Sequence, residues 1–200
     1  MKYLVSNGCS LTAQGVKEKG WDDLLGKNLG VEKVHKLSES GSSNDGIFRR
    51  TFNWLISSNI VKDSMVVIQL TDLSRIEWYC HNQNLKYKTV TFDSSDDEKY
   101  YRKEWLANHY SDEFQYNHLF RNIIGLQNTF IQNKIPYLFF VGFDNEYVKE
   151  IESSSLLSHE RFFDKRFYNG EYGYPTEKAH EEYSNILFEH INKHGLLSYD

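Results

Sequence analysis

The first residues able to do chemistry are Gly8-Cys9-Ser10-Leu11-Thr12. They follow Tyr3-Leu4-Val5, which reads as a strand ending in the turn Ser6-Asn7-Gly8-Cys9-Ser10. A serine directly after an apolar strand lies at the carboxyl edge of an α/β sheet. Open sheets of this kind bind ligands there, where strand order reverses. Gly8 permits a sharp exit, and the following backbone N–H groups can face an oxyanion. Ser10 is thus a candidate nucleophile; the plainer reading is a turn whose serine only caps. The second group is Gly41-Ser42-Ser43-Asn44-Asp45. If the second strand flanks the first, this loop lands beside Ser10. The Gly41 N–H and the Asn44 amide are then donors suited to a developing oxyanion. The plainer reading is a helix N-cap by Asn44 or Asp45 ahead of Ile47.

Positioning such groups requires a regular scaffold, and strand and helix signals alternate along the chain. That alternation predicts an α/β fold with a parallel sheet. Trp21, Leu24, Leu25 and Leu29 recur at helical spacing before Gly30, so a helix is expected over 21–29. A polar, alternating edge strand is expected over Val31 to Leu37, and a helix through Ile47, Phe48, Thr51, Phe52 and Leu55. Met65-Val66-Val67-Ile68-Gln69-Leu70 is a nearly continuous apolar run, as a buried parallel strand requires. An amphipathic helix over 120–133, a strand over Ile135 to Phe143 and a closing helix after Pro175-Thr176 complete the pattern. Thr176 is its expected N-cap and Glu177 suits its first turn. Residues 77–116 are polar and Tyr-rich, too long for a simple connection, and predict an insertion or lid. Residues 144–174 form a second irregular stretch. No repeat or linker divides the chain, so one domain over 1–200 is expected.

Composition narrows the function. A length of 200 residues with 40% apolar and 26% charged side chains suits a soluble globular domain. The formal net charge of −5 argues against a nucleic-acid partner, which requires a basic face. No run reaches the roughly 18 apolar residues of a membrane span, so no membrane partner is expected. The start, Met1-Lys2-Tyr3-Leu4-Val5, lacks the apolar core of a signal peptide. A cytoplasmic location is expected, or host cytoplasm or virion for a viral chain. Two cysteines, Cys9 and Cys80, make no disulfide framework or zinc motif, and neither metal nor cofactor is expected. Cys9 reads as a small buried residue, and Trp21, Trp54, Trp78 and Trp105 as core or pocket wall. The acidic run Asp93 to Glu98 reads as a solvated loop without the EF-hand glycine and closing Glu. Arg75 and Glu77, just past the third strand, are candidates to line a pocket; the plainer reading is a surface ion pair of little worth.

Taken in order, GCSLT, the Trp21 helix, SGSSNDGI and the strand VVIQL resemble the SGNH (GDSL-like) hydrolases, particularly their short phage and bacterial members. Tyr172-Gly173-Tyr174-Pro175-Thr176-Glu177-Lys178-Ala179-His180 is similar to that family's D-x-H-P-x-x-x-x-H ahead of the last helix. The resemblance spans nearly the whole chain except 77–116. It implies a three-layer α/β/α sandwich with a mainly parallel sheet of flavodoxin-like topology. It places Ser10 on the nucleophile, and the Ser10 and Gly41 N–H groups on oxyanion donors. The third block should supply an Asn, but Thr71-Asp72-Leu73-Ser74-Arg75 stands there, leaving Asn44 as the substitute donor and Thr71 and Asp72 as pocket residues. The base falls on Tyr174 and its orienting Asp on Tyr172. A phenol with an ordinary pKa of about 10 is a poor base at neutral pH. His180 is the replacement base, its plainer role being to pack the helix on the sheet. Asp164 and His159 are further partners.

Two functions follow. One is a serine esterase or O-deacetylase that cleaves a short acyl ester of a carbohydrate or other small molecule. The other is a degenerate module of the same fold that binds a ligand or serves as a structural part, for example in a phage particle. A homo-oligomer or virion partner is compatible with either.

Overall fold

The computed structural model describes residues 1–13, 20–80, 86–90, 111–142, 154–163 and 176–198, with backbone alone for 78–80 and 86–90. Among the described residues, a sheet of five strands, paired in parallel throughout, forms the middle layer. Its strands are β1 (Tyr3–Asn7), β2 (Lys33–Lys36), β3 (Ser64–Leu70), β6 (Tyr137–Val141) and β7 (Phe162–Phe163). Among the described residues the α-helices are α1 (Ser10–Ala13), α2 (Trp21–Asn28), α3 (Asn44–Ser57), α4 (Asp112–Gln132) and α5 (Glu177–Lys193). The remaining strands, β4 (Ile76–Cys80) and β5 (Lys86–Val90), pair as a separate antiparallel hairpin.

The strand order is β2-β1-β3-β6-β7. The chain moves outward from β1 to β2, then returns past β1 to build the other side. Strand order therefore reverses between β1 and β3, and the loops after them diverge at the carboxyl edge. Asn7 is level with Ile68, and Leu70 with Val141, so these strands end together. Short β2 lies at one edge, with exposed Lys33 and Lys36 at its ends; two-residue β7 lies at the other.

Side-chain alternation along β3 divides the core into two layers. Val66, Ile68 and Leu70 pack with Ile47, Trp54, Ile123, Leu126 and Phe130 of α3 and α4. Met65 and Val67 pack on the other face with Trp21, Leu25, Tyr183, Leu187 and Ile191 of α2 and α5. Trp21 and Trp54 are thus core residues, as expected. Burial of both faces explains why β3 and β6 read as continuous apolar runs.

Several boundaries move. β1 continues through Asn7, so Ser6 and Asn7 belong to the strand and not to the turn. Their side chains find buried partners: Ser6 Oγ donates to Asp22 Oδ2 at 2.7 Å, and Asn7 Nδ2 to the Ile47 carbonyl at 2.8 Å. Helix α4 begins at Asp112, inside the stretch read as an insertion. Ser111 caps it by accepting from the Phe114 N–H, and its first turns expose Asp112, Glu113 and Phe114, which breaks the apolar stripe. Ser43, and not Asn44 or Asp45, caps α3 by accepting from the Gly46 N–H at 3.1 Å. Thr176 caps α5 as expected, accepting from the Ala179 N–H. Glu77 pairs with Arg49 of α3 through two contacts of 2.9 and 2.7 Å, and not with Arg75. No described helix is long and apolar enough to cross a membrane.

Candidate active site

Ser10 opens α1 immediately after the β1 turn, at the carboxyl edge where strand order reverses. It is 7% exposed, and its hydroxyl makes no hydrogen bond among the described residues. The turn itself is tightly held. The Gly8 N–H donates to Asn7 Oδ1 at 2.8 Å, and the Thr12 and Ala13 N–H groups close on the Cys9 carbonyl. A side chain at Gly8 would meet Thr12 Oγ1 at 2.5 Å and Gln69 Oε1 at 2.8 Å, so the position requires glycine. Cys9 is fully buried, and its sulfur accepts from Gln69 Nε2 at 3.3 Å, the structural role expected of it.

Gln69 was not among the residues singled out from sequence, yet it organises the floor of this edge. It is wholly buried on β3, with Oε1 accepting from Thr12 Oγ1 at 2.5 Å. Trp21 Nε1 reaches the same Thr12 oxygen at 3.3 Å. A Cβ at Gly142, just past β6, would overlap Gln69 Nε2. One polar residue inside an apolar strand was the available signal, because a buried amide must find partners.

The second loop meets the first through Arg50 of α3. Its guanidinium donates to the Leu37 carbonyl at 2.7 Å and Ser42 Oγ at 2.6 Å, with longer contacts of 3.5 Å to Asn7 Oδ1 and the Gly8 carbonyl. The Glu39 N–H donates to the Gly8 carbonyl at 3.3 Å. Gly41 sits at the tip with φ of 76°, a left-handed conformation that favours glycine. The loops after β1 and β2 are therefore tied together.

Asn44 lies 6% exposed at the head of α3. Its Nδ2 donates to the Thr71 carbonyl and its Oδ1 accepts from the Thr71 N–H, both at 2.9 Å. This two-point clamp fixes the chain as it leaves β3. The amide expected to face an oxyanion is thus engaged with backbone. Asp72 Oδ1 accepts from the Ser74 N–H at 2.7 Å and shapes the following turn. Tyr172, Tyr174 and Asp164 lie outside the described residues.

His180 is buried in the first turns of α5, facing the start of α2. Its Nδ1 accepts from the Trp21 backbone N–H at 3.1 Å. Burial, assisted by the Lys36 charge, holds its pKa below the ordinary value of 6.5. The neutral ring with Nδ1 accepting carries its proton on Nε2. Its basic nitrogen is therefore occupied, and accepting a proton requires release of Trp21. His159 is exposed in a 3-10 turn on the amino side of β7, away from the edge that carries Ser10. A further histidine escaped the sequence reading: His118 of α4 meets Asp45 Oδ1 at 3.1 Å, and the bond to Asp45 raises its pKa. Nothing in local sequence joins positions so far apart. Among the described residues no group of three or more His, Cys, Asp or Glu could hold a metal ion.

No protein-family model matches the sequence. No curated protein matches it either. Solved structures do. A carbohydrate esterase whose active site has divergent catalytic and non-catalytic binding functions aligns with a TM-score of 0.57 at 12% identity, over 96% of this chain and 65% of that one. The chain thus spans just under two thirds of that protein's length. A putative lipolytic protein of the G-D-S-L family from Desulfitobacterium hafniense aligns at 0.54 and 11% identity, covering 96% and 99% of the two chains. The psychrotrophic esterase EstA of a Pseudoalteromonas species aligns at 0.53 and 13%, covering 96% and 98%. The fold is that of the SGNH (GDSL-like) hydrolases.

Proposed function

We propose that the protein is an SGNH-type serine hydrolase that removes a short acyl group, such as an O-acetyl group, from a carbohydrate or similar small ester. The observation that carries this reading is Ser10: nearly buried, without a hydrogen-bond partner among the described residues, and held at the switch point by a glycine-dependent turn. In this reading Ser10 Oγ forms a bond to the acyl carbon while the carbonyl π pair moves onto its oxygen. The Ser10 proton passes to a base, and collapse of the tetrahedral centre expels the alcohol, which takes up that proton. Water then attacks the acyl-enzyme by the same steps and frees the acid. The Ser10 and Gly41 N–H groups serve the oxyanion. His180 serves as base by releasing the Trp21 N–H.

The occupied Nδ1 of His180 favours a second reading, a module that keeps the pocket for binding or assembly and turns nothing over. One assay separates them. Purified wild type and Ser10→Ala are compared on a p-nitrophenyl ester series. The hydrolase reading expects a rate with acetate that falls by at least about 10³-fold in the variant. Equal rates for the two proteins discard it.

A further inference from the structure

We propose that the Thr71 hydroxyl is a side-chain donor to the oxyanion of the Ser10 site, with Asn44 acting as the residue that positions it. This rests on the hydrolase reading above and names a residue for it.

Thr71 is 3% exposed, and its Oγ1 is buried with no hydrogen-bond partner among the described residues. A buried hydroxyl without a partner costs stability, and native structures contain few of them. Such a group requires a reason, and here its surroundings supply one. The β1–β3 register ends at the pair Asn7 and Ile68, and Ser10 and Thr71 each follow that pair by three residues. The turn stays against β3 over this interval, because Gln69 bonds both Cys9 and Thr12. Thr71 is the first residue past β3, two beyond Gln69, and so lies at the carboxyl edge. Meanwhile Asn44 takes both backbone groups of Thr71. That clamp leaves the hydroxyl as the one unengaged polar group of the residue and fixes its position in advance of any ligand. Preorganised donors are effective for that reason: they need no rearrangement as charge develops. Asn44 then acts through Thr71 and does not touch the reacting atoms.

The test compares wild type, Ser10→Ala, Thr71→Val and Thr71→Ser on p-nitrophenyl acetate, together with their melting temperatures. Valine keeps the shape and removes the hydroxyl; serine keeps the hydroxyl. Thr71→Val should lose about 10²-fold in kcat with little change in KM. Its melting temperature should equal or exceed that of wild type, because the hydroxyl it loses is unsatisfied in the folded state. Thr71→Ser should recover most of the lost rate. Wild-type kcat in Thr71→Val, with Ser10→Ala inactive, overturns the Thr71 assignment alone. A lower melting temperature in Thr71→Val also overturns it, since the hydroxyl is then a structural donor. Equal rates in wild type and Ser10→Ala overturn the hydrolase reading and the assignment with it.

Discussion

His180 shows how one side chain can serve packing and still bear on chemistry. Its imidazole accepts the first free N–H of α2, where a helix start has donors to satisfy. Its pKa in the folded chain lies below 6.5. Between those two values the unfolded chain binds more protons than the folded one, so stability falls as pH drops below about 6.5. Asparagine can keep an acceptor near the position of Nδ1 but cannot titrate. His180→Asn should therefore flatten this part of the stability–pH curve, measured as urea midpoints across pH 5–7. An unchanged slope assigns the acid sensitivity to other histidines. In the hydrolase reading the same variant loses about 10³-fold of the Ser10-dependent rate.

Helix α3 carries Arg50, which ties the turn after β1 to the loop after β2. Arg50→Met removes charge-assisted bonds to the Leu37 carbonyl and Ser42 Oγ, and should cost about 2–3 kcal/mol. The Glu39 contact adds little, because that carboxylate is two-thirds exposed. Both loops should loosen, so kcat should fall even at temperatures where the variant stays fully folded. Stopped-flow hydrolysis beside thermal melts checks this; unchanged kcat would show that Arg50 has no positioning role. The larger elements were readable because their signals are local: the apolar run of β3, the spacing of α2 and α5, and the glycines at 8 and 41. Arg50, Gln69 and the Asn44 clamp were not. Their partners lie far along the chain, and a polar residue facing inward looks in sequence like one facing water. Helix α4 was read short for the related reason that its first turns, around exposed Phe114, carry no regular apolar stripe.

Across the molecule the two ends of the sheet do different work. Arg161 sits on the amino side of β7, where its guanidinium donates to the carbonyls of Tyr137, Leu196 and Ser198. It fastens the segment after α5 to the start of β6, opposite the Ser10 edge. Arg161→Met leaves those carbonyls short of donors and should destabilise the fold by about 2–4 kcal/mol. Equilibrium unfolding measures this, while the Ser10-dependent rate at low temperature should be unchanged. A parallel loss of rate would couple the two ends. The same sheet also bears on how copies of the chain meet. One border, β2, is a four-residue strand with a lysine at each end. Charged, abbreviated borders are poor templates for a neighbour's backbone. Crowded copies should therefore resist joining their sheets through β2 into one continuous sheet.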